Sequence, residues 1–202
     1  MPPDNKIEGS LNEAPAPRAA DKILDVARDL FYREGIRAIG VDEIVKRAGV
    51  TKPSLYRSFP SKDELAASYL RQYDREYWER FDEAVAAHPG DPRAQLKAFF
   101  TRIGKRTQTP DYRGCGMTNA AVEYPERGHP ARVVSENNKV ELRRRLRAMA
   151  AAMGAFDADT LGDGLLLLIE GAYISGQLFG LGGPAAAVAR NADLLIEASL
   201  KK

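Results

Sequence analysis

Little in this sequence points to a cross-linked or metal-built framework. A single cysteine, Cys115, excludes an internal disulfide network and fits a reducing compartment. There are two histidines, His88 in a segment that stops a helix and His129 ahead of Pro130. Neither shares a helical face with a second ligand-type residue, so no metal site is expected. The most apolar stretch, Leu165 to Ile169, is bounded by Asp163 and Glu170 and falls far short of the roughly 20 residues that cross a bilayer. The N-terminus has no basic start followed by an apolar core and does not read as a secretory signal, so a cytoplasmic location is the expectation. Also missing are a nucleotide-binding glycine loop, an H-E-x-x-H pair and a G-x-S-x-G elbow. No catalytic residue and no cofactor is therefore expected. The carboxylates Glu123 and Glu170 are a conceivable acid–base pair whose separation the sequence leaves open.

What is present is an ordinary soluble globular composition, with 44% hydrophobic and 29% charged residues. Its 202 residues can bury about 70% of the unfolded surface without staples. The 30 basic residues nearly balance the 28 acidic ones, for a net charge of +2, so only the local distribution of charge is informative. Pro2, Pro3, Pro15 and Pro17 punctuate an aperiodic start, and residues 1–17 read as a flexible tail.

From Arg18 the pattern is helical, and no strand pair or repeat interrupts it. Ile23, Ala27, Leu30 and Phe31 share one face of a first helix, with Gly35 as a left-handed stop. A second helix spans about Val41 to Ala48, with Gly40 at its cap, Asp42 and Glu43 in its first turn, and Ile44, Val45 and Ala48 inward. Gly49 ends it. Thr51 offers a capping hydroxyl, Pro53 lies in a first turn that needs no N–H, and a third helix runs to about Phe59. Ser61 with Glu64 forms a capping box for a long fourth helix whose inward stripe is Leu65, Tyr69, Tyr73 and Phe81. The next helix carries Leu96, Phe99, Phe100 and Ile103 and closes at Pro110. Helices follow over about Met117 to Glu123, Ala131 to Met153, Asp159 to Leu181 and Pro184 to Leu200. The fold class is all-α.

Two short helices joined by a glycine turn form a helix-turn-helix, whose second helix can enter a major groove. In that helix Lys52, Ser54 and Arg57 project to one side, while Leu55 and Phe59 can pack on the first helix. Tyr56, Thr51 and Lys62 offer a phenol, a hydroxyl and a charge to phosphates. Residues 18–63 hold ten basic against seven acidic side chains, and the rest of the chain is nearly neutral. The same spacing also suits a small helical bundle with a solvated polar face.

The run from Ile44 through Ala48, Gly49, Val50, Thr51, Lys52, Pro53, Ser54, Leu55, Tyr56, Arg57, Ser58, Phe59, Pro60, Ser61 and Lys62 to Leu65 resembles the DNA-binding signature of the TetR family, the tetracycline-repressor-like regulators. The resemblance covers about residues 20 to 65, and the helical remainder has the length and helix count of that family. It implies a homodimeric transcriptional regulator, usually a repressor, released from a palindromic double-stranded DNA operator by a small-molecule effector. It places Thr51, Lys52, Pro53, Ser54, Tyr56, Arg57 and Lys62 on the DNA. The chain departs from the pattern at Gly40, where the family often has a Ser or Thr that caps the second helix and touches a phosphate. Three segments follow: a tail over 1–17, a DNA-binding domain over 18–63, and a ligand-binding and dimerisation domain over 64–202.

The penultimate helix is apolar around most of its circumference through Leu165 to Ile169, Ala172, Tyr173, Ile174 and Leu178, so it needs burial on more than one face. Leu168, Gly171, Ala172, Ser175 and Gly176, with Ala192, Leu195 and Ile196 of the last helix, would form a two-fold four-helix interface. The same residues would equally complete the core of one chain. For an effector cavity the expected lining is Phe99, Phe100, Ile103, Cys115, Met117, Asn119, Val122, Glu123, Tyr173 and Gln177, a set that ordinary core packing also explains. Cys115 reads as a small buried hydrophobe with only Arg113 near enough to favour its thiolate. The run Arg143, Arg144, Arg145 and Arg147 reads as a solvated face rather than a DNA contact.

Overall fold

The computed structural model describes residues 18–200. The sequence-expected tail, 1–17, lies outside them. Among the described residues there are nine α-helices and no strand: α1 (Ala19–Glu34), α2 (Val41–Ala48), α3 (Lys52–Ser58), α4 (Lys62–Ala86), α5 (Pro92–Arg106), α6 (Gly116–Glu123), α7 (Pro130–Ala152), α8 (Ala158–Phe179) and α9 (Val188–Leu200).

Local chemistry sets most of the boundaries. The Thr51 hydroxyl accepts from the Ser54 N–H and caps α3, with Pro53 in the first turn. Ser61, Asp91 and Asp157 cap α4, α5 and α8 in the same way. Only half of the expected capping box forms: Glu64 donates its N–H to Ser61, but its carboxylate lies 3.6 Å from Arg71 instead of reaching back. Gly49 adopts the left-handed conformation after α2, and Val50 N–H returns to the Val45 carbonyl at 3.0 Å.

Three boundaries differ from expectation. Gly35 has φ 93° and ψ 150°, a positive-φ but extended stop rather than a left-handed helical one. A Cβ there would lie 3.3 Å from the Glu123 carboxylate, so both the dihedral and the close approach call for glycine. α5 ends at Arg106, before Pro110, because the Thr107 hydroxyl donates to the Gly104 carbonyl and the chain turns. The last helix is preceded by a separate 3-10 turn, Pro184–Ala187, rather than running unbroken from Pro184.

α1 packs on α2, α3 and the start of α4, around Ile23, Ala27, Leu30, Ile44, Leu55 and Leu65, all at most 1% exposed. Ile36 and Ile39, in the α1–α2 loop, join this core. Behind it α7 packs on α4, α6 and α8, and α5 lies against α4 and α9. The stripe Leu65, Tyr69, Tyr73 and Phe81 is buried as expected, and Tyr77 completes it. α4 therefore belongs to both packing groups and is the rigid link between them.

Candidate nucleic-acid interface and ligand cavities

α3 has two faces. Leu55 and Phe59 are buried against the core, while Thr51, Lys52, Pro53, Tyr56 and Arg57 are exposed on the other side. Tyr56, a large aromatic, is 48% exposed. Ser54 is half-buried: its hydroxyl accepts from Thr51 at 3.1 Å, which holds the first turn of α3. Lys52 reaches back to Asp42 of α2 at 2.7 Å, and this hydrogen bond raises its pKa. Its charge is thus partly occupied before any phosphate or base arrives. Lys62 is half-buried at the start of α4 and donates to the Arg37 carbonyl at 3.3 Å; burial lowers its pKa. Gly40 caps α2 without a side chain, and nothing lies within 4 Å of where a Cβ would stand. The space for a family-like Ser or Thr is open.

How this unit is fastened to the rest was not legible in the sequence. Glu123, at the end of α6, accepts from the Arg37 backbone N–H at 2.7 Å, and the Arg37 guanidinium donates to the Glu123 carbonyl at 3.1 Å. Arg37 also lies 5.8 Å from the Tyr124 ring centroid. Tyr124 stacks on His129 at 3.7 Å, and His129 Nε2 is 3.4 Å from Asp63 of α4. On the opposite side of α1, Arg28 forms a two-bond fork to Glu76 of α4. Apart from the Tyr124–His129 stack, each of these links joins residues far apart in sequence, and no periodicity could have revealed them.

The expected cavity residues divide among several hollows. Cys115, Asn119, Val122, Glu123, Tyr173 and Gln177 line one of about 310 Å³ between α1, α6 and α8. Phe99 and Ile103 line a smaller one with Tyr173, Met117 faces an open groove beside Lys139, and Phe100 is fully enclosed in the core. Glu123 and Glu170 do line one hollow, but each is already engaged. Glu123 holds Arg37, while Glu170 accepts from Thr118 at 2.7 Å and from Lys139 at 2.6 Å. That leaves neither free as an acid–base partner. Cys115 is buried as expected, but Arg113 is not its only basic neighbour: Lys139 donates to Sγ at 3.6 Å. Burial works to lower the Lys139 pKa, yet Cys115 and Glu170 beside it raise it overall.

The arginine run on α7 is consumed in ion pairs. Arg143 and Arg147 fork onto Asp163, Arg144 and Arg145 share Glu141, and Arg145 also lies 4.1 Å over Trp78. It is less solvated than expected, because Arg145 and Arg147 are half-buried.

Of the expected interface residues, Ala172, Gly176, Ala192 and Ile196 face this chain's own core. A Cβ on Gly176 would meet Thr107 and Tyr112 at 2.7 Å, and α9 turns its inner face to α5. These four side chains are therefore unavailable to a partner. Leu168, Gly171, Ser175 and Leu195 remain at or near the surface. The outer stripe of α8 is Leu167, Gly171, Ile174 and Leu178, where the three large apolar residues are 72%, 53% and 71% exposed. Their spacing of three and four made them legible in the sequence, but which side of an all-round apolar helix faces outward was not.

Comparison with known proteins accords with this geometry. Residues 23–69 match the family model described as bacterial regulatory proteins, tetR family. The chain is 33% identical over 91 residues to the HTH-type transcriptional regulator AcrR of Shigella flexneri, covering 45% of this chain and 42% of that protein. It is 40% identical over 100 residues to the HTH-type transcriptional activator FasR of Mycolicibacterium smegmatis, covering 48% and 46% respectively. The matched stretch thus spans less than half the length of these curated relatives. The likeness to the crystal structure of SCO4454, a TetR-family transcriptional regulator from Streptomyces coelicolor, extends further: TM-score 0.81 and 31% identity, covering 91% of this chain and 94% of that one. With similarity running through both the helix-turn-helix and the helices behind it, the chain belongs to the TetR family of bacterial regulatory proteins.

Proposed function

We propose that the protein is a sequence-specific DNA-binding transcriptional regulator, acting in the cytoplasm as a homodimeric repressor that a small-molecule effector releases from a palindromic operator. The observation that carries the reading is the two-faced α3: Leu55 and Phe59 anchor it, while Thr51, Lys52, Pro53, Tyr56 and Arg57 are exposed on the opposite side. In this reading residues 18–63 are the DNA-binding domain and residues 64 onward hold effector and dimer surfaces. Lys52, Ser54 and Arg57 face base edges, Thr51, Tyr56 and Lys62 set the position on phosphates, and Pro53 lies against the DNA without a hydrogen bond of its own.

The outer stripe of α8 supports the dimer, because Leu167, Ile174 and Leu178 are three large apolar side chains left exposed along one helix face. A dimer bound to successive major grooves holds its two reading helices about 34 to 36 Å apart. An effector acts only by binding better to a state with another separation. The hollow of about 310 Å³ touches α1 through Phe31, Tyr32 and Gly35, so its filling bears directly on the helix-turn-helix unit.

Selection of bound duplexes from a random library at fixed salt, followed by stoichiometry on the enriched site, tests the reading. A palindrome bound by two chains, or by four as paired dimers, is expected. No enrichment above nonspecific binding, with and without added effector candidates, would overturn it. The sign of regulation follows from reporter expression once the operator is known.

A further inference from the structure

Two adjacent hollows near the meeting of α1, α4 and α5 share Arg80 and Arg106 in their walls. One, of about 240 Å³, is polar and includes Arg28, Glu76, Asp25 and Asp29. The other, of about 130 Å³, is lined by Tyr77, Phe99, Arg102, Ile103 and Tyr173 besides the two shared arginines, with no acidic residue among them.

The cations around the smaller hollow are unequally satisfied. Arg102 is paired with Glu83 at 2.6 Å. Arg80 approaches Glu76 only to 3.7 Å, because Arg28 already takes both oxygens of that carboxylate, and the Arg80 Nη2 atom is buried without a hydrogen-bond partner. Arg106 is half-buried and donates to the Tyr73 hydroxyl at 3.0 Å. Among the described residues no carboxylate stands within 4.0 Å of it. The Tyr77 hydroxyl, on a residue only 4% exposed, is near Tyr173 but makes no hydrogen bond of acceptable geometry. Buried donors without acceptors are costly and normally mark a missing partner. Here two unpartnered donors, Arg80 Nη2 and the Tyr77 hydroxyl, share one small space with Arg106, and apart from the paired Arg102 its remaining wall is aromatic and aliphatic. An acceptor-only group with an apolar body fits both halves.

We propose that this hollow is a binding site for a small organic carboxylate, with the anionic oxygens on Arg80, Arg106 and the Tyr77 hydroxyl and the apolar body against Phe99, Ile103 and Tyr173. A guanidinium fork matches a carboxylate in plane and in hydrogen-bond number, which a compact cation would not. The site does not depend on the protein binding DNA.

The test is titration of the full chain with benzoate and with 3-methylbutanoate, set against benzamide as the uncharged isostere of benzoate, read by calorimetry and by thermal shift. Saturable binding of at least one carboxylate is expected, with at least ten-fold preference over benzamide. Arg106→Gln should weaken binding at least ten-fold. Tyr77→Phe, which removes only an unpartnered hydroxyl and leaves the ring packing in place, should weaken it several-fold while unfolding, without ligand, at a temperature no lower than the parent's. Absence of saturable binding by both acids, equal binding of benzamide, or unchanged affinity in a folded Tyr77→Phe and Arg106→Gln pair would overturn the assignment.

Discussion

Gly162→Ala is expected to lower stability, although alanine is the better helix former. At an unconstrained helix interior this change gains about 1 kcal/mol from propensity. At position 162, inside α8, the new Cβ would stand 2.7 Å from both the backbone N and the Cα of Arg147 on α7. Rotating the arginine side chain cannot relieve contacts made to its own backbone. Ordinary van der Waals distance is reached only if the helices separate locally by about 0.7 Å, and such overpacking costs about 1–3 kcal/mol in a well-packed core. The Arg147 and Arg143 forks onto Asp163 lie on the next residue and would be disturbed as well. The net expectation is a loss of up to about 2 kcal/mol, which for a protein of this size lowers Tm by about 2–4 °C per kcal/mol. Calorimetric or circular-dichroism melts of the two proteins at equal concentration measure it. An unchanged or higher Tm for Gly162→Ala would refute the claim that close backbone approach, rather than chance, keeps glycine there.

Other perturbations separate the roles assigned above. Tyr56→Phe should weaken binding to all duplexes alike, whereas Arg57→Ala should also relax sequence preference, as competition mobility shifts would report. Asp42→Asn frees Lys52 from its 2.7 Å partner and removes a negative charge beside the reading helix, so operator affinity should rise several-fold; unchanged or weaker binding would count against Lys52 as a DNA contact. Leu178→Glu, on the exposed stripe of α8, should shift the sedimentation profile toward single chains, while an unchanged mass would exclude that stripe as the pairing surface. On the acid side, Arg144 and Arg145 hold the Glu141 carboxyl down at about 2, and Arg143 and Arg147 hold Asp163 below the usual range. Depressed carboxylates stabilise the fold above their unfolded pKa and lose that contribution as pH falls from about 4 toward 2. Glu141→Gln should therefore reduce the parent's loss of Tm over that interval, and an identical acid limb would exclude the pair as a contributor.

The sequence by itself determined the elements and the reading helix. Thr51, Pro53, Ser61, Asp91 and the glycines after α2 and α7 act within a turn or two of themselves, and the stripes on α1, α4 and α5 repeat every three to four residues, so both kinds of signal survive in one dimension. The exposed side of α3 was legible for the same reason: Leu55 and Phe59 fix which face is inward.

Tertiary structure alone decided what those faces meet. α8 is apolar all round, so only its packing against α7, α9 and the segment after α5 shows that Ala172 and Gly176 turn inward while Leu167 and Leu178 stay outside. Burial and partnership also depend on residues distant in the chain: Arg37 with Glu123, Arg28 with Glu76, Lys139 with Cys115 and Glu170. The arginines above Tyr77 show the principle most clearly. Arg80, Arg102 and Arg106 look alike in sequence, and only the placement of Glu76 and Glu83 leaves one paired, one partly served and one without an acidic partner. Charge neutralisation acts through space over a few ångströms, and that distance is set by the fold rather than by position along the chain.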